Sequence, residues 1–382
     1  MNYVKIKGKK KEVIFNIGDQ FLNKSLKHSR GLILSHLEIE NINEIEFLDE
    51  IDNLTHLWLS FNQIKTLKFP ENLKSLKYLN LDSNKIGNFS GIEILADLEV
   101  IDCNFNRITQ MKNLEDCKKL KSIHLIGNKI HTIRGLNFLT DLSRLTLSCN
   151  QISKIKGLEN CINLEYLRLD ANKIGEITGL ERLDKLKLLS LSNNQIKKIS
   201  DLAHQLNLEE LYLDGNQIEN ISNLEKLSSL QTLSLSNNKI YLIPNLSYLQ
   251  NLGYINLRNN KISEIGNLDK LKNLFSLEIS GNPLFNNDNF KQNYGSDNLN
   301  LAKFMNDRQK NFLEKILSAI KNNDILPNGF YSSEFDFIIL KNRVILENMC
   351  LEYHNEAANK IFSRIQNLGK IKKPNDNTLL IL

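Results

Sequence analysis

A chain of 382 residues that is 41% hydrophobic and 24% charged has the composition of folded globular material, which excludes wholesale disorder and leaves room for one large repeat domain with flanking pieces. The formal net charge of +5 is spread over scattered lysines rather than gathered in a basic block, so no nucleic-acid partner is expected. The longest aliphatic stretches, such as Phe337 to Leu340, fall far short of the roughly 18 apolar residues of a membrane span, so no transmembrane helix and no membrane partner are expected either.

Residues 1–34 read as a cap. Strand-like YVKIKG and EVIFNI flank a Gly-Lys-rich turn and predict a small hairpin. The opening MNYVKIKGKKKEVIF is basic but lacks the apolar core and cleavage site of a secretory signal, so a cytoplasmic location is expected, or a nuclear one in a eukaryotic cell.

Residues 35–285 form an array. Asparagines recur every 22 residues, at Asn62, Asn84, Asn106, Asn128, Asn150, Asn172, Asn194, Asn216, Asn238, Asn260 and Asn282, which counts eleven repeats. Around them runs one template, seen in LSRLTLSCNQI, LEYLRLDANKI and LEELYLDGNQI. A short strand alternates sides, so Leu167 and Leu169 should point inward while Tyr166, Arg168 and Asp170 point outward. The asparagine ending each strand can bond backbone groups of the turn, and Ile174, Ile177, Leu180 and Leu183 of the same coil should fill the opposite side of the core. A single coil cannot bury its own apolar side, whereas stacked neighbours can. Upstream, Glu40 stands where asparagine would, although Leu37, Ile39, Ile42 and Ile45 keep the pattern, so a degenerate first coil is expected. Downstream, GNPLF closes the array, because proline and the Asn-rich NNDNF break the period.

Residues 286–297 read as a linker. From Asn298 to the end at 382 the period turns helical, with Phe304, Met305, Phe312, Leu313, Ile316, Leu317 and Ile320 near one face and a second helix carrying Val344, Ile345, Met349, Tyr353, Ala357, Ile361 and Ile365. This predicts a helical C-terminal cap or small domain.

The template is that of the leucine-rich repeat, and phrases such as KIKGLENCINLEYLRLDANKI and KISDLAHQLNLEELYLDGNQI resemble the SDS22-like class of that family over roughly Ser35 to Phe285. The resemblance implies an α/β solenoid, curved, with a parallel concave sheet, eleven 22-residue repeats and a helical cap. It further implies a non-enzymatic scaffold that binds a globular protein on its concave face and, by analogy, regulates a phosphatase or other signalling enzyme. Two alternatives stay open: an array that recruits substrate for an effector or enzymatic activity in the C-terminal region, and an internalin-like adhesin.

The outward strand positions supply the candidate partner-binding residues. Aromatic candidates are Trp58, Tyr78, Tyr166, Tyr212 and Tyr254, with Phe61 and Phe105 at strand ends either as anchors or as local packing. Six carboxylates, Asp82, Asp102, Asp170, Glu210, Asp214 and Glu278, stand against three arginines, Arg144, Arg168 and Arg258, a balance that suits a partner with a basic patch. A row of Lys85, Arg107, Lys129, Lys173, Lys239 and Lys261 marks one rim as a solvated edge. Phosphate loops, dinucleotide fingerprints, zinc-protease motifs and nucleophile elbows are missing, and His56 and His124 are spaced too far apart to share a metal, so no catalytic residue, metal or cofactor is expected. The five cysteines show no C-x-x-C spacing; Cys117 and Cys161, two coils apart, should lie about 9.6 Å from one another, beyond disulfide reach. A monomer with reduced thiols is expected.

Overall fold

The computed structural model describes residues 3–6, 12–14, 30–46, 48–51, 53–263, 268, 271, 273–274, 276–279, 281–283 and 318. Two sheets organise them. A three-stranded antiparallel sheet of order β2-β1-β4 joins β1 (Tyr3–Ile6), β2 (Glu12–Ile14) and β4 (Ile45–Glu46). The second is a twelve-stranded parallel sheet that runs in strict chain order from β3 to β15. Its strands are β3 (Arg30–Ile33), β5 (Leu54–Trp58), β6 (Tyr78–Asn80), β7 (Val100–Asp102), β8 (Ser122–His124), β9 (Arg144–Thr146), β10 (Tyr166–Arg168), β11 (Leu188–Ser190), β12 (Glu210–Tyr212), β13 (Thr232–Ser234), β14 (Tyr254–Asn256) and β15 (Ser276–Glu278).

From β5 onward every neighbouring pair is in register at a 22-residue offset, as in Tyr166↔Leu188, Leu167↔Leu189 and Arg168↔Ser190. A constant offset keeps each side chain over the same slot of the next coil, so the apolar slots fuse into one core. Leu167, Leu169, Ile174, Ile177, Leu180, Leu183 and Leu186 of one coil are all at 0% exposure. Each such side chain stabilises the fold by about 2 kcal/mol of transfer free energy. The first coil departs from the offset: β3 pairs with β5 through a register shift at Arg30/Gly31, and its strand lies ahead of residue 35, inside the segment read as a cap. The sheet therefore has one strand more than there are ladder asparagines.

The asparagines do what their spacing suggests. Asn172 donates from Nδ2 to the carbonyl of Leu147 in the preceding coil (3.0 Å) and to that of Leu169 in its own (3.0 Å), and its Oδ1 accepts from the Ile152 amide at 2.9 Å. The same three bonds recur from Asn84 to Asn282, except that Asn106 donates to the Asn104 carbonyl in place of the one three residues before it. Each amide thus satisfies buried backbone groups that the bend removes from water.

The side opposite the sheet differs from the α/β expectation. Among the described residues it is built of turns and three 3-10 segments, Ile42–Glu44, Leu48–Glu50 and Glu71–Ser75, because 22 residues leave too little chain between strands for an α-helix. The linker at 286–297 lies outside the described residues, and so do the predicted C-terminal helices apart from Ser318, which is helical.

Candidate partner-binding surface

Two outward columns line the open face of the sheet. One runs Trp58, Asn80, Asp102, His124, Thr146, Arg168, Ser190, Tyr212, Ser234, Asn256 and Glu278; the other runs His56, Tyr78, Val100, Ser122, Arg144, Tyr166, Leu188, Glu210, Thr232, Tyr254 and Ser276. A third column, at the strand ends, holds Asp82, Asp170, Asp214 and Arg258. The expected binding residues Trp58, Tyr78, Asp102, Tyr166, Glu210, Tyr212 and Tyr254 are half-buried, whereas Arg144, Arg168 and Arg258 are exposed.

The aromatic side chains gather in two places. At the N-terminal end His56, Trp58 and Tyr78 form one cluster, with Trp58 and Tyr78 ring centroids 5.3 Å apart and His56 5.8 Å from each. The Tyr78 hydroxyl donates to Asp102 Oδ2. Beside them Ile33, in the same column as Trp58, is exposed, and His36 stacks on Phe61 at 4.5 Å. In the middle of the sheet the Arg144 guanidinium lies 5.0 Å from the Tyr166 ring centroid, and the Tyr212 hydroxyl donates to Glu210 Oε2 at 2.6 Å. Leu188 lies in the same column between Tyr166 and Glu210 and is buried despite pointing away from the core. His56, expected on the sequence to face outward, lies in this surface, and Ile33, His36 and Leu188 join it without having been singled out there; the signal for Leu188 was a leucine in an outward slot that its neighbours fill with Tyr166 and Glu210.

Phe61 and Phe105 are placed by the backbone. The residue before every ladder asparagine adopts the left-handed conformation, with φ of 52 to 69 from Phe61 to Asn259 and 73 at Gly281. Glycine or asparagine fills this slot at Gly127, Asn193, Gly215, Asn237, Asn259 and Gly281, as sterics favour. Phe61 and Phe105 take it instead, at φ 56 and 54, and both stay exposed, at 55% and 61%. The Phe105 ring lies over Gly127, where a Cβ would meet its Cδ1 at 2.7 Å.

The carboxylates have structural partners that spacing alone did not reveal. Asp82 Oδ1 accepts from the Asn104 amide (2.7 Å), Asp170 Oδ1 from the Ser192 amide (3.0 Å) and Asp214 Oδ1 from the Ser236 amide (2.8 Å). Asp170 and Asp214 are further ringed by the hydroxyls of Ser148, Ser190, Ser192, Ser234 and Ser236. These form a second ladder, two positions ahead of the first, legible as a column of short polar residues once the coils are stacked. Glu278 pairs with Arg258 at 2.8 Å. On the rim, Lys85 donates to Gln63 at 2.9 Å.

Burial, with Lys77 nearby, lowers the pKa of His56, and burial with the Asp102 hydrogen bond raises that of Tyr78. Burial also raises the pKa of Asp82, with the Asp102 charge adding to the effect. His124 bonds to Ser122 (2.9 Å) and Thr146 (3.1 Å). Among the described residues no group of three His, Cys, Asp or Glu side chains could hold a metal ion.

Comparison with known proteins agrees with this geometry. The family model described as leucine-rich repeats (2 copies) matches residues 52–93, 140–182, 162–204, 184–226 and 206–248. The human protein leucine-rich repeat-containing protein 23 is 43% identical over 58 residues, 15% of this chain and 17% of that one, so the match spans under a fifth of that relative. An internalin of Listeria monocytogenes superposes with a TM-score of 0.61 at 30% identity, covering 66% of this chain and 74% of its own. The chain in an octameric complex of latrophilin 3, Unc5D and the FLRT2 leucine-rich-repeat domain gives a TM-score of 0.55 at 26% identity, covering 60% of this chain and 76% of that one. Repeat spacing, asparagine ladder, parallel sheet and these likenesses agree: the chain is a member of the leucine-rich-repeat family.

Proposed function

We propose that this protein is a non-enzymatic scaffold that binds a protein partner on the open face of its sheet, with Trp58, Phe61, Tyr78, Phe105, Tyr166 and Tyr212 as apolar anchors. The observation that carries the reading is the pair Phe61 and Phe105. A bulky residue in the left-handed region costs about 1–2 kcal/mol relative to glycine, and folding gains little from a side chain left exposed. Strain kept at an exposed site is support for a role outside the fold. The complex containing the FLRT2 leucine-rich-repeat domain with latrophilin 3 and Unc5D is a precedent for protein binding by such an array.

The finer reading, a cytoplasmic regulator of a phosphatase or other signalling enzyme, draws on the SDS22-like repeat phrases and on the four free thiols among the described residues. The likeness to an internalin favours a second reading, an adhesin displayed at a cell surface. Fractionation of the native cell separates the two.

The test is the double variant Phe61→Asn/Phe105→Asn. Its chemical denaturation should show an unchanged or raised stability, by up to about 2 kcal/mol, while its capture of the native partner falls at least about tenfold, as loss of two aromatic anchors predicts. A double variant that keeps full partner affinity contradicts the proposal.

A further inference from the structure

The two aromatic clusters of the sheet face differ in how their charges are met. In the middle of the sheet the chain supplies its own cation: the Arg144 guanidinium covers Tyr166. Farther along, Arg258 pairs with Glu278. At the N-terminal end no such cation is supplied. Asp102 Oδ2 accepts from the Tyr78 hydroxyl and, at 3.4 Å, from the Asn80 amide, while its Oδ1 is 3.9 Å from His124 Nε2. Asp82 accepts from the Asn104 backbone and from Asn80 Nδ2 at 3.3 Å. Among the described residues no lysine or arginine pairs with either carboxylate. Arg144, the first arginine of the two outward strand columns, is on β9, two strands beyond Asp102 on β7, or about 10 Å at the usual strand spacing.

The result is two neighbouring carboxylates, partly withdrawn from water, one of them bonded to the hydroxyl of Tyr78, whose ring packs with those of Trp58 and His56. Aromatic faces and carboxylates attract the same kind of guest, a cation that can give up some of its water. We infer that the N-terminal end of the sheet face, at Trp58, Tyr78, Asp82 and Asp102, is the pocket for a lysine or arginine side chain of the protein partner. The inference rests on the proposed use of this face for partner binding and adds the chemistry of one contact. The exposed Ile33 and Phe61 would flank the aliphatic stem of the guest.

Trp58 is the only tryptophan of the chain, so its fluorescence reports on this pocket alone. The full chain is titrated with the blocked peptide Ac-Gly-Arg-Arg-Gly-NH2 and with the same peptide carrying citrulline, which keeps the shape of arginine without its charge. The arginine peptide should shift Trp58 emission saturably and bind about tenfold more tightly than the citrulline peptide at low salt. Asp102→Asn should remove that preference, and Asp82→Asn, whose amide oxygen can still accept from the Asn104 amide, should reduce it. Equal responses to the two peptides, or no saturable response to arginine, would overturn the inference. A photo-crosslinker at Tyr166 separates this from the broader reading: capture of the partner there, with no charge preference at Trp58, leaves the face as the docking site and discards the cation pocket.

Discussion

A single amide carries much of the order of this fold. Asn172 donates to the buried carbonyls of Leu147 and Leu169 and to the part-buried one of Asp170, and accepts from the buried Ile152 amide. Replacing it by alanine orphans those groups, and Asn172→Ala should lower stability by about 3 kcal/mol in urea denaturation. Asn172→Asp should cost at least as much, because an ionised carboxylate cannot donate to the Leu147 and Leu169 carbonyls and would be buried unpaired. A stable aspartate variant would refute the donor role. Gln205 tests the opposite case. It is fully buried in a slot that other coils fill with Leu183 or Leu227; its Nε2 bonds the Leu180 carbonyl at 2.7 Å, but its Oε1 has no partner. The Leu180 carbonyl already accepts from the Leu183 amide at 2.9 Å, so Gln205→Leu should raise stability by about 1 kcal/mol. A lower melting temperature would mean that Gln205 has a partner not yet seen. The asparagine role could be read from spacing. The fate of the acids could not, since a carboxylate two residues before the ladder looks the same in a sequence whether it awaits a partner or caps the next coil.

At the level of the coil, each strand of three residues is too short to be stable alone and is held by its neighbours in register. Strand position and inward facing were legible because the apolar period is unbroken from Leu57 to Leu257. The side opposite the sheet was less so, because a row of Ile and Leu at core spacing reads alike for a helix and for 3-10 turns. The thiols test the packing of these coils. Cys117 and Cys161 face the core and donate to the carbonyls of Ile92 and Leu136, and burial pushes their pKa values up to about 12 and about 11. Cys103 is raised by burial as well, whereas Cys149 is exposed at a left-handed position. Iodoacetamide at pH 8 should therefore label Cys149 in the folded protein and leave Cys103, Cys117 and Cys161 unlabelled until denaturant is added. Rapid labelling of Cys117 in the native state would show that the coils open locally.

Across the whole molecule, stability is distributed and recognition is concentrated. The core runs from Ile6 to Ile279 as one continuous cluster, so each coil contributes through its neighbours and no coil stands alone. Most of the outward aromatic residues instead gather near the first coils and in the middle of the sheet, where Trp58, Tyr78, Phe105, Tyr166 and Tyr212 interrupt a largely polar face. The repeat, the sheet and the identity of the outward columns were all legible in the sequence. The grouping of side chains across coils, such as His36 on Phe61 or Arg144 over Tyr166, needed coordinates, because it depends on rotamers rather than on slots. Whether the sheet face holds the partner is read by site-specific photo-crosslinking in the native cell. A benzoylphenylalanine at Tyr166 or Tyr78 should capture one discrete protein, while the same group at Ile162 or Leu242, exposed positions outside the strands, should capture none. A partner captured from Ile162 or Leu242 and not from the sheet face would move the docking site off the sheet.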